Sequence, residues 1–170
     1  MTPRHLEIAA GFDPVIGRIA AMLTNTRSRL LRDLEDVVVA ELDPTPEWGP
    51  NSIGTLLYHI AAAELRWTFS SLRETDRFPD GREAWFPVET RDDAGRLSPV
   101  VDQLDRHLAR LEWVRGHLFE TLRGLRDADL DRTFNPGENE SGGSWILHHL
   151  MQHEAEHRGQ IGEIKVALRV

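Results

Sequence analysis

Residues 144–170, SWILHHLMQHEAEHRGQIGEIKVALRV, decide the fold. Ile146, Leu150, Ile161, Ile164 and Leu168 recur at the three- and four-residue spacing that lines up side chains on one face of an α-helix. His153 and His157 interrupt that apolar stripe at its middle, one turn apart. A long helix with one apolar face is stable only when other elements cover the face. Three further segments carry matching stripes.

Upstream, a helix is predicted to open at Ser98-Pro99, a capping residue followed by a proline, with Val100, Leu104, Leu108, Leu111, Leu118 and Leu122 as its stripe and its end near Gly124. Another starts at Asn51-Ser52, carries Ile53, Leu56, Leu57, Ile60, Ala63 and Trp67, and fades near Glu74. The first opens at Asp13-Pro14 and runs through Val15, Ile19, Met22, Leu23, Leu30, Leu34 and Val37 until Asp43-Pro44 stops it. Strand-type alternation is nowhere sustained. The reading is all-α, a four-helix bundle in a single domain over residues 1–170. Two connectors of roughly twenty residues exceed what up-down-up-down topology needs, which predicts long crossover connections. One of them, about residues 75–97, is rich in Gly, Pro, Asp and Arg, and is expected to be ordered and pinned by Phe78, Trp85 and Phe86. Asn135-Pro136-Gly137 and Ser141-Gly142-Gly143 mark the other as turn-rich.

Composition narrows the chemistry. The absence of cysteine removes disulfides, thiolate ligands and a cysteine nucleophile. A net charge of −8 argues against a nucleic-acid face, and the arginines of the first helix (Arg18, Arg27, Arg29, Arg32) read as a solvated surface. No stretch has the length of a membrane span or a signal peptide's apolar run, so a soluble cytoplasmic location is expected.

The last helix carries four of the eight histidines. Two imidazoles on a face that buries Ile and Leu need partners, and an i, i+4 pair can share one metal ion. His59 lies at the edge of the second helix's stripe among Thr55, Ala62 and Ala63, whose small side chains leave space beside the ring. His59, His153 and His157 sit at similar depths in their helices and are therefore the expected metal ligands. His149 extends the row as an outer or alternative ligand, and His107 either lines the pocket or fills the core. His148 and His117 face elsewhere. Gln160 and Glu64 are candidates to orient the ligands, Glu64 alternatively holding Arg66; Trp145 is a candidate wall at the pocket mouth, and Gly159 and Gly162 are places for close approach by a helix or a second subunit. His153–His157 also reads HEAEH, the H-E-x-x-H pattern of zinc proteases. Glu154 points about 100° from His153 around the helix, and Gln160 and Glu163 stand where the extended motif has glycine and histidine, so a protease is not expected.

The runs NSIGTLLYHIAAAELRW (51–67) and HHLMQHEAEHRGQI (148–161) together resemble the DinB/YfiT-like superfamily of metalloenzymes. The resemblance implies a four-helix bundle with long crossovers, often a homodimer, binding one divalent metal through a histidine of the second helix and an H-x-x-x-H pair of the fourth. These map onto His59, His153 and His157. Some relatives are transferases or isomerases using thiols such as mycothiol or bacillithiol. The functional expectation is a thiol-dependent transferase acting on a small electrophile with zinc, nickel or iron. A metal-dependent hydrolase, or a metal- or ligand-binding stress protein without catalysis, stays open beside it.

Overall fold

The computed structural model describes residues 5–134 and 140–170. Its long helices are α1 (Pro14–Leu34), α2 (Ile53–Arg66), α4 (Leu104–Arg123) and α5 (Gly143–Leu168), with a single-turn α3 (Arg82–Trp85) in the connection between α2 and α4. The only strands among the described residues are the two-residue pair β1 (Thr133–Phe134) and β2 (Ser141–Gly142), antiparallel to each other. The Asn135-Pro136-Gly137 turn lies outside the described residues.

The dominant helix pairings are α2 with α4, α1 with α5, and α2 with α5. Side-chain contacts give their directions. Arg27 meets Glu154 and Arg158 meets Asp33, so α1 and α5 run parallel. Glu64 meets Arg115 and Arg73 meets Thr121, so α2 and α4 also run parallel. His59 meets His153 whereas Trp67 meets Trp145, so α2 and α5 are antiparallel. Two helices joined in sequence can lie parallel only if the chain between them returns along the bundle. The segment between α2 and α4 is that crossover. It is pinned as expected: Phe86 is buried, Trp85 stacks on Trp113 and Phe78 packs against Phe69.

Several boundaries differ from the sequence reading. α1 ends at Leu34, well before Asp43-Pro44, and a 3₁₀ turn (Val39–Glu41) follows. α4 begins at Leu104 instead of Ser98-Pro99, because the residues before it are held extended. Ser98 N–H donates to the Thr90 carbonyl, Arg91 and Leu97 form an antiparallel bridge, and Val100 N–H donates to the Thr55 hydroxyl. Ser52 caps α2 as expected, accepting from Thr55 N–H. Asp13 makes no side-chain cap on α1; the carboxylate of Asp127 takes Val15 and Ile16 N–H from across the sequence, while Asp13 accepts from Asp127 N–H. An anion at a helix start satisfies orphan N–H groups and opposes the helix dipole, and it does so whichever segment supplies it. After Arg66 the second helix widens into a π-helical stretch, Trp67–Leu72. A Cβ at Gly159 or Gly162 would meet nothing within 4 Å, so among the described residues no helix makes the close approach that those glycines permit.

The core is not wholly apolar. Arg27, expected on a solvated face, is buried with Glu64, Arg115 and Glu154 between all four long helices. Arg27 Nε donates to Glu154 at 2.6 Å and its Nη2 to Glu64 at 2.9 Å; Arg115 Nε donates to Glu64 at 2.7 Å and its Nη2 to Glu154 at 2.7 Å. The backbone carbonyls of Leu111 and Leu23 take the Nη1 groups. Two cations face two anions with bonds on every side, which is how a buried charge is tolerated.

Candidate metal centre

α5 presents two unlike faces. Glu154 turns inward to Arg27 and Arg115, whereas His153 and His157 turn toward α2. His59 comes from α2, on the antiparallel seam, and the three rings converge. The Nε2 atom of His153 lies 3.1 Å from that of His59 and 3.1 Å from that of His157. One nitrogen from each histidine lies within 4.8 Å of the other two, so the trio is positioned to hold a metal ion. Two metal–nitrogen bonds of about 2.0–2.1 Å readily span a gap of this size.

The surroundings prepare the rings for that role. Gln160 Oε1 can only accept, so at 2.8 Å it fixes the proton of His157 on Nδ1 and leaves Nε2 as a bare lone pair. This is the orienting part foreseen for Gln160. With His157 Nε2 bare, ring protons can satisfy only one of the two Nε2 contacts fully, whereas a cation takes all three lone pairs at once. Burial, then the neighbouring His157 and the Arg91 guanidinium, hold the His59 pKa down at about 4; burial, then His157 and His59, hold His153 at about 3. Both are neutral at pH 7, the form that binds metals.

Beside the trio opens a cavity of about 520 Å³. His59, His153 and His149 line it from the helices, and the crossover closes it with Phe78, Arg82, Phe86, Val88, Glu89, Thr90 and Arg91. Tyr58, the residue before His59, ties that wall down: its hydroxyl donates to the Val88 carbonyl at 2.5 Å. The π-helical stretch begins at Trp67, which meets Trp145 and His149 edge-on. Trp145 lies flat on His149, the ring planes 3° apart, but it does not itself line the cavity; it was expected at the mouth, and instead backs the two residues, Trp67 and His149, that do.

Other sequence candidates go elsewhere. Glu64 orients neither a histidine nor Arg66; it is 3% exposed in the arginine–glutamate core, because five residues beyond His59 it points about 140° away around the helix, into the bundle interior. His107 does not line the cavity. It is buried beside α2, where Arg110 Nη1 meets its Nδ1 at 2.9 Å, and a Cβ on Gly54 would come within 3.2 Å of its Nε2. His117 packs on Trp113 and Phe69, and His148 is exposed. Glu154 cannot serve as the base of a zinc protease, since both its oxygens are held by buried arginines. The sequence reading missed Arg82 and Arg91 in the cavity wall. They lie in a crossover without helical periodicity, where only the local richness in arginine marks them.

A family model described as the DinB superfamily matches residues 22–161, a span that includes all three histidines. The crystal structure of a conserved protein from Enterococcus faecalis is similar in fold, with a TM-score of 0.73 at 16% identity, covering 92% of this chain and 98% of that one. No functionally curated protein matches the sequence.

Proposed function

The chain belongs to the DinB superfamily, and from that membership and the histidine cluster we propose that it is a divalent-metal-dependent enzyme transferring a low-molecular-weight thiol to a small electrophile. The observation that carries the reading is the convergence of three imidazole nitrogens beside a cavity of small-molecule size. His59, His153 and His157 would hold zinc, nickel or iron, any of which accepts such nitrogen donors. A divalent cation there supplies Lewis acidity, which lowers the pKa of a thiol or water placed against it. Three neutral imidazoles leave its charge uncompensated, so that effect is retained in full.

The chain's own residues do the rest. Gln160 fixes the His157 tautomer, Tyr58 holds the crossover wall against α2, and Trp67 and His149, packed against Trp145, give the cavity an aromatic side. With no cysteine in the chain, a thiol has to arrive from solution. The test is elemental analysis of protein purified without chelators, followed by conjugation assays with an electrophilic chlorodinitrobenzene in the presence and absence of added thiols. About one metal per chain and thiol-dependent turnover, both lost in His153→Ala, are expected. Turnover of ester or amide substrates that ignores thiol would instead make the protein a hydrolase. A metal-free protein would end the proposal.

A further inference from the structure

The cavity beside the trio is cationic in a chain that is otherwise acidic. The whole sequence carries a net charge of −8, yet three arginines line this one space: Arg66 from the end of α2, Arg82 from α3, and Arg91 from the last stretch of the crossover. Glu89 is the single carboxylate among the described lining residues. Three separate elements thus bring like charges to the rim of one cavity, Arg66 and Arg91 exposed to solvent and Arg82 half-buried.

These arginines also differ from those that tie the fold together. Arg27, Arg110, Arg115, Arg158 and Arg169 each grip a carboxylate at 2.5–2.9 Å. Among the described residues, Arg66, Arg82 and Arg91 grip none. Arg82 lies over the ring of Phe78, 4.8 Å from its centroid, and Arg91 gives one N–H to the Gly95 carbonyl at 2.6 Å. Both guanidiniums are steadied and still have donors to spare. The guanidinium fork matches the two oxygens of a carboxylate or phosphate. The same cavity is lined by the aromatic rings of Trp67, Phe78 and Phe86. Such a wall lowers the local dielectric and strengthens every charge pairing inside.

We propose that Arg66, Arg82 and Arg91 form an anion-recognition rim, and that the small molecule this site takes is an acid whose carboxylate or phosphate meets the rim while its apolar body lies on the aromatic wall. The inference rests on the proposed function only in placing the substrate in the same cavity. It narrows the substrate class from any small molecule to an amphipathic anion.

Titration calorimetry of zinc-supplemented protein with three probes tests it: 4-phenylbutyrate, its neutral amide, and phenyl phosphate. The carboxylate or the phosphate, or both, should bind about tenfold or more tightly than the amide, the scale of a charge-assisted hydrogen bond; the tighter of the two identifies the anion. In the combined Arg66→Gln, Arg82→Gln, Arg91→Gln variant that advantage should vanish, while amide affinity and zinc content stay unchanged. The three single variants, each expected to lose part of the advantage, give the same reading should the combined variant fold poorly. Equal binding of acid and amide, binding of no probe, or an acid preference that survives the loss of all three arginines would each overturn the rim. The two proposals fail separately. One zinc per chain without arginine-dependent acid binding removes the rim and spares the metal reading. Arginine-dependent acid binding by a chain that takes up no zinc does the reverse.

Discussion

Two polar clusters sit inside the same bundle and share α5, one on each side of the HEAEH segment. The Arg27–Glu64–Arg115–Glu154 quartet is closed: both carboxylates are almost fully buried, each oxygen is held by a guanidinium, and backbone carbonyls take donors that remain. The histidine trio is open: its Nε2 atoms point at one another, His59 Nδ1 has no partner among the described residues, and a cavity runs alongside. Charge balance and saturated hydrogen bonding mark a structural core, because nothing is left over for a ligand. Converging lone pairs at the wall of a cavity mark a site, because only an incoming group completes them. The glutamate of a protease-like motif belongs here to the first kind and its histidines to the second.

The sharpest way to break this contrast is to open the closed cluster. Glu154→Ala leaves two buried guanidiniums facing one carboxylate, and should cost about 3–5 kcal/mol of stability, the usual penalty for orphaning a buried charge. Urea denaturation reads it, and a loss under about 1 kcal/mol, the size of a surface pair, would mean the quartet is not the sealed core described above. Opening the open cluster further should do the opposite: His153→Ala should abolish metal uptake while apo stability falls by less than in Glu154→Ala. Equal metal content in wild type and variant, measured by elemental analysis, would dissolve the trio as a unit. Gln160→Leu is gentler. It frees the His157 tautomer and should weaken metal affinity about 10- to 100-fold, as loss of an outer hydrogen bond to a ligand does. Competition with a chromogenic chelator measures that; unchanged affinity would show that the tautomer is fixed by something else.

Acid should separate the clusters by pH window. His59 and His107 near pKa 4 and His153 near 3 are held below the histidine value of 6.5, mainly by burial. The unfolded chain therefore takes up protons first, so their contribution to apo stability is complete above about pH 6.5 and is lost as pH falls toward 4. Glu64 belongs to a lower window. Burial pushes its pKa up, but Arg115 and Arg27 outweigh that and hold it below the carboxylate value of 4.5, so its contribution is lost only beneath that pH. Melting temperature of the apo protein should decline in both windows, and His107→Gln should flatten the upper one alone. An upper window that His107→Gln leaves unchanged would remove that histidine from the account. The smallest effect belongs to His149→Phe, which keeps the ring against Trp145 and should shift metal affinity by no more than about twofold, His149 lying outside the trio.

Apolar spacing alone gave the four long helices and the all-α class, since a stripe at helical period is a local property that any partner can cover. The same spacing picked out His59, His153 and His157, because polar rings inside an apolar stripe are visible without knowing what faces them. Boundaries were less legible. Ser98-Pro99 has the residues of a helix start, yet pairing with Thr90 and Thr55 keeps that strand of chain extended until Leu104. Asp13 has the look of a cap, yet Asp127 does the capping.

What tertiary structure alone decided is which side of a stripe's margin each charge occupies and what the crossover brings. Arg27 reads as a solvated charge and Glu64 as an orienting group because their partners, Arg115 and Glu154, lie far along the chain, and a charge is worth burying only once its counter-charges arrive. Arg82 and Arg91 carry no periodic signal at all; they reach the cavity because parallel α2 and α4 force the intervening chain back across the histidine face. Local pattern fixes which elements form and which side chains are out of place in them. Long-range pairing, which depends on where distant segments meet, fixes whether those side chains become a sealed core or an open site.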